Sequence, residues 1–192
     1  MIDPDDYPRS MRDPAVRLRR KALLELDHIR PLTRYAAELR RDGRGAVAEF
    51  DPLDGGVNAA VLFLFEKPGP GTSEEGGGSG FISRNNDDPT ADATHRFMQS
   101  AGIPRGSTAS WNVIPWWNGT RAITPPEIQA GERALEHLLG LFIALKVIVL
   151  VGRKAEHVWK RAAPKWRGPI ITSAHPSPLV RARYPGKWNA IG

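Results

Sequence analysis

Glu66 and His175 are the one carboxylate and the one imidazole that directly follow apolar, strand-forming runs, AAVLFLF at residues 59–65 and GPIITSA at 168–174. A carboxylate so placed can orient or deprotonate a water, and a neutral imidazole N–H can stabilise a developing anion. The competing reading pairs Glu66 with Lys67 or an arginine and makes His175 a turn residue. Around His175 the chain reads SAHPSPLVRARYP, a stiff Pro176-Ser177-Pro178 turn followed by Leu179, Arg181 and Arg183. Burial explains Leu179 poorly. An apolar wedge in a stiff turn, flanked by phosphate-binding arginines, is how proteins prise open a base stack.

The elements that must hold these residues follow from periodicity. Leu18, Ala22, Leu26 and Ile29 recur at helical spacing, as do Leu32, Tyr35, Ala36 and Leu39, with Pro31 between the sets. Two N-terminal helices with arginine-rich outer faces are expected over residues 1–45. Strand–helix alternation then fills residues 59–183. The run at 59–65 reads as a strand buried on both faces. DDPTADATHRFMQSAG reads as a helix capped by Asp88, with Pro89 in its first turn and Gly102 past its end. STASWNVI gives a second strand. Thr124 and Glu127 form a capping box opening a helix through Phe142. KVIVLVG is a third strand, residues 153–163 a helix and GPIITSA a fourth strand.

Four strands joined by helical crossovers predict an α/β fold, a three-layer αβα sandwich around a four-stranded parallel sheet, as a single domain over residues 1–192. Ligands of such sheets lie beyond the carboxyl ends of the strands. Glu66, Lys67, Pro68 and Gly69 stand there after the first strand, Asn112 at the end of the second, Gly152 and Arg153 after the third, and Ser173 and His175 after the fourth. Polar, chemistry-capable residues gather at one rim.

Composition narrows the class. The chain has 192 residues and no cysteine, which excludes disulfides, thiol catalysis and cysteine-ligated zinc or iron–sulfur clusters. No apolar run approaches the roughly 20 residues of a membrane span, and MIDPDDYPRS does not read as a signal peptide, so a cytoplasmic protein without membrane contact is expected. Net charge is +6. From Arg153 onward nine basic residues face one acid, Glu156. Such one-sided charge suits a polyanion, or is simply a soluble basic surface. The loop GPGTSEEGGGSG lacks the lysine of a Walker A loop, and Glu74 stands where a dinucleotide fingerprint needs its third glycine, so neither phosphate cradle is present. His28, His95, His137 and His157 fall in expected helices without metal-ligand spacing. Phe81 would be the first large ring near the rim, either core or a platform for a planar base. Trp111, Trp116 and Trp117 pose the same choice, with packing favoured for Trp111.

AHPSPL at Ala174 to Leu179 resembles the second signature of the uracil-DNA glycosylase superfamily, and VLFLFEKPGPG resembles its first. The first signature varies as GQDPYH, GEAPG or GINPG, directly after the first core strand; FEKPG aligns with GEAPG, placing Glu66 on the glutamate, Lys67 on the alanine and Gly69 on the last glycine. Phe81 falls on the uracil-stacking phenylalanine, and Asn112 on the asparagine that reads the pyrimidine edge. The resemblance runs from about Val61 to Arg183. It implies base-excision repair by a monomeric enzyme that flips deoxyuridine out of DNA and hydrolyses its N-glycosidic bond, releasing free uracil. Leu179 would fill the vacated stack while Ser173, Ser177, Pro178, Arg181 and Arg183 grip DNA. Phe81 and Asn112 would hold the base with the Lys67-Pro68-Gly69 turn, His175 would donate to uracil O2, and Glu66 would position the water. No metal or cofactor is implied.

The chain departs from these signatures at three places, the first being Phe65 where a glycine is usual. GQDPYH branches carry their water-activating aspartate where Lys67 stands, so that role is vacant or passes to Glu66. Lys67 is then free to pair with Glu66, anchor a phosphate or act as a nucleophile. Gly69 replaces the tyrosine that excludes thymine's methyl group. The resemblance therefore leaves two other readings open, a glycosylase for another deaminated base such as hypoxanthine and a non-catalytic binder of uracil or abasic DNA. An unrelated α/β protein with a basic rim for RNA or nucleotides is the reading outside the family.

Overall fold

All four apolar runs form strands, β2 (Val61–Phe65), β4 (Thr108–Asn112), β5 (Val147–Val151) and β6 (Ile170–Ser173), in a computed structural model that describes residues 4–74, 76–162 and 164–191. They pair in parallel in the order β4-β2-β5-β6. Two further strands of two residues each, β1 (Glu49–Phe50) and β3 (Phe81–Ile82), pair in parallel apart from this sheet. They are too short to leave a periodic signal. Helices α1 (Pro14–Ala22), α2 (Arg30–Arg41), α3 (Pro89–Ser100), α4 (Pro125–Leu141) and α5 (Arg153–Ala162) complete the α/β architecture with two C-terminal helices, α6 (Pro178–Arg183) and α7 (Pro185–Asn189). The expected end of α5 at Ala163 lies outside the described residues. Among the described residues no helix is long and apolar enough to cross a membrane.

Register decides which face of the sheet does what. Leu62 and Leu64 stand beside Ala109 and Trp111 on one side and Ile148 and Leu150 on the other, so these six side chains share a face. That face packs against Leu32, Tyr35, Leu135 and Leu138 of α2 and α4 to make the main core. Trp111 belongs to it, its ring stacked 3.7 Å from that of Phe50. The opposite face carries Phe63, Phe65, Ser110, Asn112, Val149, Val151 and Ser173. Phe63 and Phe65 are only half-buried, so β2 is not sealed on both faces as its unbroken apolar run suggests. β6 is an exposed edge strand. The capping signals hold: Asp88 accepts from the N–H groups of Thr90 and Ala91, and Thr124 and Glu127 form the reciprocal box at α4.

The N-terminal helices depart from expectation because a charge, rather than a leucine, is buried. α1 stops at Ala22, and Pro31 sits in the first turn of α2 instead of between two helices. His28 lies in the connecting turn, its Nε2 3.0 Å from the Pro52 carbonyl. Leu18 is 70% exposed, while Arg20, expected on an outer face, is buried and bonds Asp51 at 2.5 Å. Asp51 also accepts from Ser83 Oγ and Arg105 Nη2, each at 2.5 Å, and from Leu53 N. Arg105 extends the cluster to Asp54 and Asp6. Burial alone raises the Asp51 carboxyl, but Arg105 and Arg20 outweigh it and hold the pKa at about 2. Its stabilising contribution is therefore present above the ordinary carboxylate range and is lost as pH falls through about 2.

Candidate active site

Asn112 is the last residue of β4 and pairs in register with Phe65, the last residue of β2, so both side chains leave the sheet on the face opposite the main core. The strand pair continues one step beyond the sheet, where Val113 N donates to the Phe65 carbonyl and Ile114 N to that of Glu66. This fixes Glu66 beside Asn112. From the other side, Gly152 N donates to the Ser173 carbonyl at 2.8 Å and brings the chain after β6 onto the same rim. The His175 ring then stands edge-on to Phe65, with centroids 5.9 Å apart. The approach requires Gly152, at φ 90°, because a Cβ there would lie 2.9 Å from the Cβ of His175. Three expected residues, Glu66, Asn112 and His175, are thus gathered by backbone register.

Two of the three, Asn112 and His175, present polar atoms that are not paired off among the described residues, whereas Glu66 has an ion-pair partner. Five buried side-chain atoms lack a partner among the described residues: Glu49 Oε2, Arg84 Nε, His95 Nδ1, Trp111 Nε1 and Asn112 Oδ1. Glu49, Arg84 and His95 are engaged through other atoms, and Trp111 is sealed in the core. Asn112 alone of the five stands at the rim, 5% exposed. A buried, unpaired amide oxygen costs about 1–3 kcal/mol and suits a ligand N–H. Neither ring nitrogen of His175 has a partner among the described residues. Burial is the main cause that lowers the His175 pKa below the ordinary imidazole value; Glu66 and Asp88 pull it up, and Arg121 and Lys154 push it down. The ring is accordingly neutral near pH 7, able to donate one N–H. Glu66 is mostly covered and lies 3.0 Å from the exposed ammonium of Lys154, at the start of α5. Its ion-pair partner is thus neither Lys67 nor an arginine.

Lys67 needs a correction. None of its three expected roles fits: its ammonium turns into the protein and donates to Asn118 Oδ1 at 2.7 Å, the Ala122 carbonyl at 3.0 Å and Glu127 Oε1 at 2.7 Å. Burial raises Glu127, but the bonds from Lys67 and Thr124 overcome it and hold its pKa at about 2. Lys67 therefore pins the loop between β4 and α4 to the turn after β2. Pro68 is buried beside it, and Gly69 is half-buried with its Cα toward the guanidinium of Arg121. Phe81 also needs one. Its ring is fully buried, packed with Met11 and Val16 in a small second cluster, and presents no open face for a base in this structure.

The DNA-facing candidates sit on a short helix instead of a turn. Ser177 caps α6, its Oγ accepting from Val180 N, and Pro178 occupies the first turn. Leu179 is 61% exposed. Arg181 lies over the Trp188 ring of α7, which in turn meets Phe97 of α3, while Arg183 is exposed. The Ser173 hydroxyl donates to the Ala174 carbonyl.

A family model, that of the uracil DNA glycosylase superfamily, matches residues 54–190. The chain belongs to this superfamily. The match spans β2 to α7 and covers every rim residue above, so the protein is a member of a DNA glycosylase family of base-excision repair. No curated protein matches the sequence. In this superfamily member the residue that spacing could not reveal is Arg121, which no motif connects to position 69.

Proposed function

We propose that the protein removes uracil from DNA by hydrolysing the N-glycosidic bond of a flipped-out deoxyuridine. The observation that carries this reading is the unpaired, buried Asn112 Oδ1 beside Glu66 and a neutral His175 at one rim. Uracil offers an imide N–H, which that oxygen accepts, between two carbonyls. The amide orientation that accepts from N3–H also donates to O4 and so disfavours cytosine, whose N3 is an acceptor. His175 donates an N–H to O2 as electrons of the C1′–N1 bond move onto the base. A water held by Glu66 adds to C1′ and gives its proton to the carboxylate, and the uracil anion leaves to be protonated by solvent. DNA would be gripped by Arg181, Arg183 and Ser177, with Ser173 and Pro178 at its edge, and Leu179 would enter the gap left by the flipped nucleotide.

A non-catalytic role was suggested by Lys67 at the aspartate position. Because its ammonium is committed to Glu127, Asn118 and Ala122, it leaves Glu66 and His175 unobstructed, and no observation favours that reading. The test is a panel of oligonucleotides carrying one uracil, hypoxanthine or thymine, single-stranded or opposite G or A, with the released base identified by mass. Release of uracil, with hypoxanthine and thymine retained, is expected. Release of hypoxanthine instead, or of no base despite binding, would contradict the proposal.

A further inference from the structure

Arg121 lies in the loop that joins β4 to α4, and the loop is pinned on both sides of it. Lys67 bonds Asn118 and Ala122, Asn118 Nδ2 donates to Glu127 Oε1, and Ala122 N donates to Thr120 Oγ1. The pinned loop lays the guanidinium on Gly69. A Cβ at residue 69 would stand 3.0 Å from Nη2 and 3.9 Å from Nη1, so a larger residue there would push the guanidinium back by a few tenths of an ångström. Arg121 is also near enough to His175 to act on its ionisation, after burial and Glu66. Among the described residues no carboxylate and no hydrogen bond engages this guanidinium, whereas Lys154, at the start of α5, is paired with Glu66. A cation without a counter-charge among the described residues thus lies against the turn after β2.

We propose that Arg121 is a catalytic residue that shares with His175 the negative charge of the departing base. This deepens the uracil-excision reading and rests on it. As the C1′–N1 bond breaks, its electron pair moves onto the base and spreads to the ring carbonyls; the guanidinium, which gives up no proton, stabilises that charge from the Gly69 side. The proton lost by the attacking water still goes to Glu66. A fully enclosed donor is worth about 10²–10³ in rate, and an exposed guanidinium is screened, so about 10–50-fold is expected here. Arg121 lies against the turn after β2 and on a different element from the Arg181 and Arg183 of α6.

The test uses single-turnover base release from oligonucleotides with uracil or 5-fluorouracil, the latter a more acidic leaving group, for wild type, Arg121→Ala and Arg121→Lys. Binding is read separately with a 2′-fluoro-deoxyuridine strand that resists cleavage. Arg121→Ala should slow uracil release about 10–50-fold, slow 5-fluorouracil release several-fold less, and change affinity by under about 3-fold; Arg121→Lys should fall between. An equal loss on both bases, or no loss, would overturn the proposal. So would weakened binding with a salt slope reduced by about one and an intact rate, which marks a phosphate contact. If wild type releases neither base, the uracil-excision reading fails first and this inference with it; release by wild type with Arg121→Ala unaffected defeats this inference alone.

Discussion

Asp51 and Asn112 are both buried polar side chains, yet one is saturated and the other is not. Asp51 accepts from Arg20, Arg105, Ser83 and the backbone of Leu53. Asn112 has a buried oxygen with no partner among the described residues. Saturation marks the region that ties the N-terminal segment to the core, through Arg20 on Asp51. Unsaturation falls at the candidate site, where the protein tolerates about 1–3 kcal/mol of unmet hydrogen bonding. The same sheet serves both, because β2 and β4 turn one face to the core and deliver Asn112 from the other.

The contrast is broken most forcefully at Asp51. Asp51→Asn takes from the buried Arg20 the carboxylate that it bonds, while Arg105 keeps Asp54 and Asp6, and should lower the unfolding free energy by about 3–5 kcal/mol in urea titration, while base release per folded molecule stays at the wild-type level. Asn112→Ala should behave in the opposite way. Base release should fall about 10²–10³-fold, with the melting temperature unchanged or raised because an unmet acceptor has gone. A clear drop in melting temperature there would mean that Asn112 is structural after all. Lys67→Met sits between the two regions. It should cost about 2–3 kcal/mol by leaving Glu127 short of its counter-charge, and should also slow base release by freeing the loop that carries Arg121. Leu179→Ala should weaken product binding about 3–10-fold in duplex and leave single-strand binding unchanged, since only a duplex has a stack to fill.

The mildest test is the pH profile. The groups that act on His175 are Glu66, Asp88, Arg121 and Lys154, against a background of burial that lowers its pKa. Base release should therefore persist as pH falls through the ordinary imidazole range near about 6.5 and drop only below it. In Arg121→Ala, where one lowering influence is gone, the acid limb should move toward neutral pH.

Much of this was legible in residue order. Periodicity and turn residues located four strands, and the rule that ligands lie beyond strand carboxyl ends placed Glu66, Asn112 and His175 at one rim. The Asp88 cap and the Thr124–Glu127 box were readable because they are local. What escaped was non-local pairing. Arg20 looks like a solvent-facing helix residue until Asp51, 31 positions on, is brought beneath it. Lys67 and Glu127 are 60 positions apart, and no spacing rule couples them. Phe81 was expected at the rim because its loop is glycine-rich, but the N-terminal Met11 and Val16 cover its ring. Helix α6 was hidden by the two prolines around Ser177, which open a helix here instead of forming a stiff turn.

The most direct test of the rim as an active site is single-turnover release of free uracil by wild type, Glu66→Gln, Asn112→Ala and His175→Ala, with folding checked by circular dichroism and binding by an uncleavable strand. Rapid release by wild type, with each variant folded, still bound to DNA and slowed about a hundredfold or more, is the predicted result. Release that persists in all three variants would place the chemistry elsewhere and contradict the account.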